Sequence, residues 1–212
     1  MSKVKLSLDI DTLLDNFKLS YNQSCHQLTD WTKVSDGTLT PLHQELLNSV
    51  YEKMKLNGDF WNEEELKINV IGFVMYLADI DVEGKIKTFF ERSLSSIFGD
   101  KEIAVKCDCM VATPKGKGTP KAPYFFLQEY KKQKGDKNDP EGQMLGAMLI
   151  AQELNQDKKT VYGCYLVGRN WYFTTLIEKD YCISRQFDAK NYDDLLQIVF
   201  ILRKLKTLIL ER

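Results

Sequence analysis

The sequence predicts an α/β fold, with a mixed central sheet flanked by helices behind a mainly helical N-terminal half. Three observations carry this. Apolar residues recur at helical intervals through most of the first hundred positions. The period switches to two after about residue 102, and a strong helix signal stands between β-rich runs further on. The chain has 212 residues, which is one domain by size. Within it, 1–100 reads as the helical part, 101–187 as a sheet-and-helix core and 190–212 as a C-terminal helix.

The elements follow in order. From Asp9 to about Ser20, the spacing of Ile10, Leu13, Leu14 and Phe17 is helical. Thr40-Pro41 opens a second helix, with Thr as N-cap and Pro in the first turn, and Gly58 closes it. Asn62 caps a third, whose first turn holds Glu63, Glu64 and Glu65, where acids favour the helix dipole. Ile68 to Ala78 is apolar nearly all round, which predicts deep burial. Ile86, Phe89, Phe90, Leu94 and Ile97 predict a fourth helix over 85–98.

Residues 103–112 then alternate. Ile103, Val105, Cys107, Cys109 and Val111 predict one core-facing side, with Asp108 on the other. The stretch 113–123, TPKGKGTPKAP, reads as a loop; 124–132 as a strand; 134–139 as a turn. Asp139-Pro140 starts a helix with a good cap, and Gly146 and Ala147 in it allow close packing. Two strands, 161–168 and 171–177, form a tight hairpin at Arg169-Asn170, and 180–187 adds a short strand. The last helix, 192–211, is amphipathic.

Composition removes several classes of function. Hydrophobic residues are 43% and charged residues 28%, so the chain is globular rather than disordered. Lys+Arg total 29 against 30 Asp+Glu, which excludes a uniformly basic nucleic-acid-binding tail. No run of about 18 apolar residues exists to span a bilayer. The start carries Asp9, Asp11 and Asp15 and lacks the apolar stretch of a secretory signal, so a cytoplasmic protein is expected. The five cysteines, an odd count, are expected as reduced thiols. Cys107-x-Cys109 has poor zinc spacing, and His26 and His43 lie far from it.

One constellation carries chemistry. Side chains at i and i+2 of a strand share a face, so Glu129 and Lys131 point together and Tyr130 points away. If the 103–112 strand is a neighbour, Asp108 meets Glu129. Two converging carboxylates repel unless a cation lies between them, and a hard divalent ion suits oxygen ligands. Lys131 beside it would hold or deprotonate a water, or meet charge growing on phosphorus. The Glu-x-Lys tripeptide alone is not diagnostic, since Glu65/Lys67 and Glu83/Lys85 repeat it in helical settings. A surface strand with a solvated charge pair is the plain alternative.

Asp108, the strand PYFFLQEYKK with Glu129-x-Lys131, and the following DPEGQMLGAMLIAQ resemble the PD-(D/E)XK phosphodiesterase superfamily, the restriction-endonuclease-like fold. The likeness covers roughly 60–180, and from Tyr124 to Trp171 it is to an uncharacterised bacterial group. It implies a nuclease in which Asp108 and Glu129 bind Mg²⁺ (or Mn²⁺), Lys131 assists the attacking water, and a phosphodiester bond is cut, DNA being the first expectation. Some members carry a Gln in the helix after the lysine strand, where Gln143 stands. Many carry a metal-reaching Glu on an upstream helix, for which Glu64 is the candidate and Glu65 the next. Cys107 replaces the proline of the family name. The alternatives are a non-catalytic nucleic-acid- or protein-binding module on the same fold, and a nuclease acting on RNA.

Local charge suits a phosphate partner. Between Pro114 and Lys137, seven lysines stand against two acids. Lys115, Lys117, Lys121, Lys132 and Lys134 are the expected nucleic-acid contacts, in a loop and a turn flanking the acids. Tyr162, Tyr165, Trp171, Tyr172 and Phe173 could stack bases, although such residues usually pack sheets. With no separate reading module in sight, a homodimer or a protein partner would have to supply specificity.

Overall fold

The computed structural model describes residues 4–34, 37–132 and 139–212. Its architecture is mixed α/β. The elements run β1 (Val4–Lys5), α1 (Ile10–Phe17), β2 (Ser20–Asn22), α2 (His26–Thr32), α3 (Pro41–Asn57) and α4 (Glu63–Leu66). A π turn (Lys67–Ile71) joins α4 to α5 (Gly72–Ala78). Then come β3 (Lys87–Phe98), β4 (Lys101–Lys115), β5 (Thr119–Lys131), α6 (Pro140–Asn155), β6 (Val161–Val167), β7 (Asn170–Ile177), β8 (Asp180–Ile183), β9 (Phe187–Asp188) and α7 (Tyr192–Leu210). Among the described residues no helix is long and apolar enough to cross a membrane.

The sheet has nine strands among the described residues, ordered β1-β4-β5-β6-β7-β8-β2, with β3 on β4 and β9 on β7. β3, β4 and β5 form an antiparallel meander. The chain then crosses over through α6 and returns as β6, parallel to β5. Two apolar cores sandwich the sheet. α2, α3, α5 and α7 cover one face, where Trp31 of α2 shares a core with Phe126, Tyr130 and Phe173 of the sheet. α1 and α6 cover the other, where Met144 and Met148 of α6 pack with Ile103 and Leu127 of the sheet. β5, covered on both faces, is buried without a break from Phe125 to Lys131, so its polar residues Gln128, Glu129 and Lys131 are enclosed as well.

Several expectations hold at the level of local chemistry. Thr40 accepts the N–H of His43 at the head of α3. Asp139 accepts the N–H of Gly142 at the head of α6. At Gly146 a Cβ would lie 2.7 Å from Leu8 Cδ2 and 3.7 Å from Ile103 Cγ2, so the absent side chain lets the N-terminal segment pack closely on α6.

Others are corrected. The helix expected over 85–98 is strand β3. Its apolar positions look helical because the alternation changes phase midway. Glu91 takes a left-handed φ of 54°, and Phe89 before it and Leu94 after it both face the α6 core. β4 changes phase at the paired position. Cys107 faces the α6 core and Cys109 the opposite one, so the single core-facing side expected for 103–111 is two half-sides joined at Asp108. The same flip points the two thiols to opposite faces, away from any shared ligand.

The stretch 113–123 is not a loop. β4 and β5 run on as a hairpin arm to Lys115 and Thr119, turning at Gly116, whose φ is +62°. Pro114 and Pro120 pair with each other there, beyond the last residues that β3 and β6 pair with, so their missing N–H groups break no ladder. The 67–78 segment is half-buried, not buried all round: Ile68 is 70% and Tyr76 62% exposed. Cys25 and Cys182 are bonded to each other, against the expectation of five thiols; Cys107, Cys109 and Cys164 are free and buried. The turn expected at 134–139 and the contact residue Lys134 lie outside the described residues, except for Asp139.

Candidate functional site

The site grows from a parting of two strands. β4 and β5 pair from the arm as far as Cys109 and Gln128. β1 pairs with the same edge of β4, but only at Lys101 and Glu102. Between these contacts, Asp108 replaces the ladder with its side chain, Oδ2 accepting the Tyr130 N–H at 2.8 Å. That bond satisfies a donor left over where the strands diverge, and it fixes Asp108 beside Glu129 and Lys131.

Glu129 and Lys131 share the α6 side of β5, as the period of two requires, while Tyr130 turns to the other core and donates its hydroxyl to Gln128. Lys131 Nζ lies 2.8 Å from Glu129 Oε1, donates to the Tyr130 carbonyl at 2.9 Å, and reaches Glu63 Oε1 at 3.9 Å. Side-chain exposure is 5% for Glu129, 8% for Lys131 and 14% for Asp108, so the cluster opens to solvent chiefly through Asp108.

The upstream helix contributes acids, with the roles distributed differently from expectation. A capping box uses up Glu65, whose carboxylate accepts the Asn62 N–H at 2.8 Å. Glu64 is 75% exposed and pairs with Lys67 at 3.2 Å. Glu63 is the acid that approaches Lys131. Lys67 in turn pairs with Asp108 Oδ1 at 3.3 Å and Glu91 at 3.0 Å, and Lys106 completes the chain at 2.6 Å from Glu91. Sequence reading missed Glu63 and Lys67. Their i,i+4 spacing, which places both on one helix face, was the available signal.

The protonation states follow from these contacts. Burial, then the Asp108 charge, raises the Glu129 carboxyl to about 7, against the opposing pull of Lys131. Burial pulls Lys131 down, but the Glu129 carboxylate outweighs it, so its ammonium titrates above the usual lysine range. The bonds from Lys106 and then Lys67 bring Glu91 down to about 2.

A stability test follows. In the unfolded chain Glu129 titrates near 4.5, and in the fold near 7. Between those values the fold holds the extra proton, so its contribution is full below pH 4.5 and is lost as pH rises through 7. The loss is about 3 kcal/mol. Without divalent ions the unfolding midpoint should therefore fall from about pH 5 to about pH 8, and Glu129→Gln should remove most of that slope. Parallel profiles for the two proteins would contradict the assignment.

Other expected residues lie elsewhere. Gln143, in the first turn of α6, borders a groove with Lys5, Ser7, Asp9 and Asp139, and its Oε1 is buried without a hydrogen-bond partner. Lys115, Lys117 and Lys121 sit on the hairpin arm, with Lys117 O accepting from Lys87 Nζ. Asp108 and Lys115 are seven residues apart on β4, roughly 23 Å along a strand. The loop lysines thus occupy the far end of the hairpin and do not flank the acids; Lys132, next to Lys131, is the expected contact that stays close. Trp171 and Phe173 are fully buried and Tyr162 packs on Trp31. Tyr165 stacks on Tyr172 at 4.8 Å and donates to Glu141. These aromatics are packing.

As for a metal, no group of three His, Cys, Asp or Glu side chains among the described residues gathers closely enough to hold one alone. Asp108 and Glu129 remain as an all-oxygen pair whose repulsion is felt at Glu129. That donor set fits Mg²⁺, which takes one or two carboxylates and completes its shell with water and phosphate. No protein-family model matches the chain, and no curated protein matches it.

Proposed function

We propose that the protein is a metal-dependent phosphodiesterase that cuts nucleic acid, with DNA as the foremost substrate. The observation that carries this reading is the meeting of Asp108, Glu129 and Lys131 where β4 and β5 part. The surrounding order supports it: an acid-bearing helix precedes the Asp strand, that strand neighbours the Glu-x-Lys strand, and a Gln-bearing helix follows. These are the features by which the sequence resembles the PD-(D/E)XK superfamily.

When bound, Mg²⁺ or Mn²⁺ supplies charge to the scissile phosphate and acidifies a water. Asp108 and Glu129 would hold it through oxygen. Tyr130 N–H fixes Oδ2 of Asp108, so Oδ1, which pairs with Lys67 at 3.3 Å, is the oxygen that would serve the ion. Lys131 stays protonated at neutral pH because Glu129 stabilises its ammonium. It therefore orients the attacking water and meets negative charge growing on the phosphoryl oxygens; it does not take a proton. Lys132, one residue past β5, would contact an adjoining phosphate.

The test is incubation with supercoiled plasmid, linear duplex, single-stranded DNA and RNA, with and without Mn²⁺. Nicking or linearisation that requires the ion is expected; intact substrates throughout would overturn the reading. One observation favours a second reading, a non-catalytic module: each acid already holds an ammonium, Asp108 that of Lys67 and Glu129 that of Lys131. Under that reading nucleic acid or a protein partner would bind without being cut. Cleavage of RNA alone would move the substrate and leave the chemistry.

A further inference from the structure

We propose that Lys67 is a tethered stand-in for the divalent ion: its ammonium occupies Asp108 Oδ1 while no metal is bound, has to leave when one arrives, and so sets the affinity of the site. The inference rests on the metal-dependent reading above and assigns a role to a residue which that reading does not use.

The geometry is specific. Lys67 Nζ lies 3.3 Å from Asp108 Oδ1, 3.0 Å from Glu91 Oε1 and 3.2 Å from Glu64 Oε1. Three carboxylates from three separate elements, β4, β3 and α4, thus converge on one point charge. An ordinary surface ion pair takes one partner. Asp108 has two oxygens, and Tyr130 N–H holds Oδ2. Oδ1 is the oxygen left for a cation, and Lys67 has it. Two cations competing for one carboxylate oxygen couple negatively: whatever free energy the ammonium gains there is subtracted from that of the incoming ion.

The route of departure is also in place. The Lys67 side chain is 21% exposed, and its other two acids lie further out, Glu91 at 43% and Glu64 at 75%. A lysine stem is flexible and its ammonium has no fixed fork geometry. Lys67 can therefore release Asp108 and keep Glu64 and Glu91. It also opens the π turn, a local departure from α geometry of a kind found frequently at functional sites.

The experiment measures Mn²⁺ binding by titration calorimetry, and free Mn²⁺ by electron paramagnetic resonance, on the intact chain at neutral pH. Wild type is compared with Lys67→Gln, Lys67→Met, Lys67→Arg and Asp108→Asn. Lys67→Gln should bind Mn²⁺ roughly tenfold more tightly, since a competing unit charge about 3–4 Å away is gone. Lys67→Met, which keeps the apolar stem, should agree with it and guards against a folding defect in either variant. Lys67→Arg, which keeps the charge, should stay near wild type, and Asp108→Asn should lose binding. Binding by Lys67→Gln where wild type binds too weakly to detect would also uphold the proposal. If wild type binds and both neutral variants match it or bind more weakly, Lys67 is a structural ion pair and the proposal falls while the metal reading stands. If neither wild type nor the neutral variants bind, both fall together.

Discussion

Asp108→Asn is expected to slow ion-dependent cleavage about a thousandfold while leaving the fold in place. The amide has the shape of the carboxylate and keeps an oxygen that can accept the Tyr130 N–H, so the local replacement for the β4–β5 ladder survives. Lys67 loses one partner and retains Glu91 and Glu64. What disappears is the negative charge of Asp108, the more exposed of the two carboxylates proposed to hold the ion. Initial rates of plasmid nicking in Mn²⁺, beside urea unfolding midpoints, separate the two effects. A rate close to wild type would remove Asp108 from the chemistry.

Lys131→Met should cost between about a hundredfold and a thousandfold in rate, roughly the range for removing one positioned donor to developing charge. It also has a pH-dependent effect on stability. Taking one partner from a buried ion pair usually costs about 3–5 kcal/mol, because the other charge is stranded. Here Glu129 titrates near 7 even with the ammonium present, so without it the carboxyl keeps its proton more strongly. The stability lost on substitution should be small at about pH 6 and larger at about pH 8. Adding Glu129→Gln should recover most of the deficit at the higher pH, because a neutral pair needs no counter-charge. Urea unfolding at both pH values checks this. A deficit that does not change with pH would mean that the two groups are not coupled as described.

The parts of this architecture that local chemistry encodes could be read from the sequence. Thr40-Pro41 and Asp139-Pro140 announce helix starts because their side chains cap backbone donors in any context. Glu129 and Lys131 share a face because alternation is a property of the strand itself. What stayed hidden depends on distant partners. β3 mimicked a helix because Glu91 inverts its phase, and that inversion makes sense only opposite Asp108, where β4 inverts as well. The prolines of 113–123 looked like loop residues because the sequence does not show that, among the described residues, no strand pairs with either outer edge of the arm at these prolines. The union of Cys25 and Cys182 spans a separation of 157 residues, far beyond any local pattern. Among three consecutive glutamates, which one meets Lys131 was decided by a cap: Glu65 turns back to Asn62, and this fixes the direction in which Glu63 and Glu64 point.

The two apolar cores that hold the sheet do not depend on Glu129 and Lys131. Apolar layers close over both of its faces, and exchanging a buried ion pair for hydrophobic groups of similar volume tends to leave a fold as stable as before, or more so. A lineage could therefore exchange Glu129 and Lys131 together for apolar residues and keep an intact scaffold, whereas losing either alone strands the other charge and losing Asp108 strands the Tyr130 N–H. On this architecture a silent descendant that has replaced both members of the pair at once is within reach, because the pair is not what keeps the sheet folded.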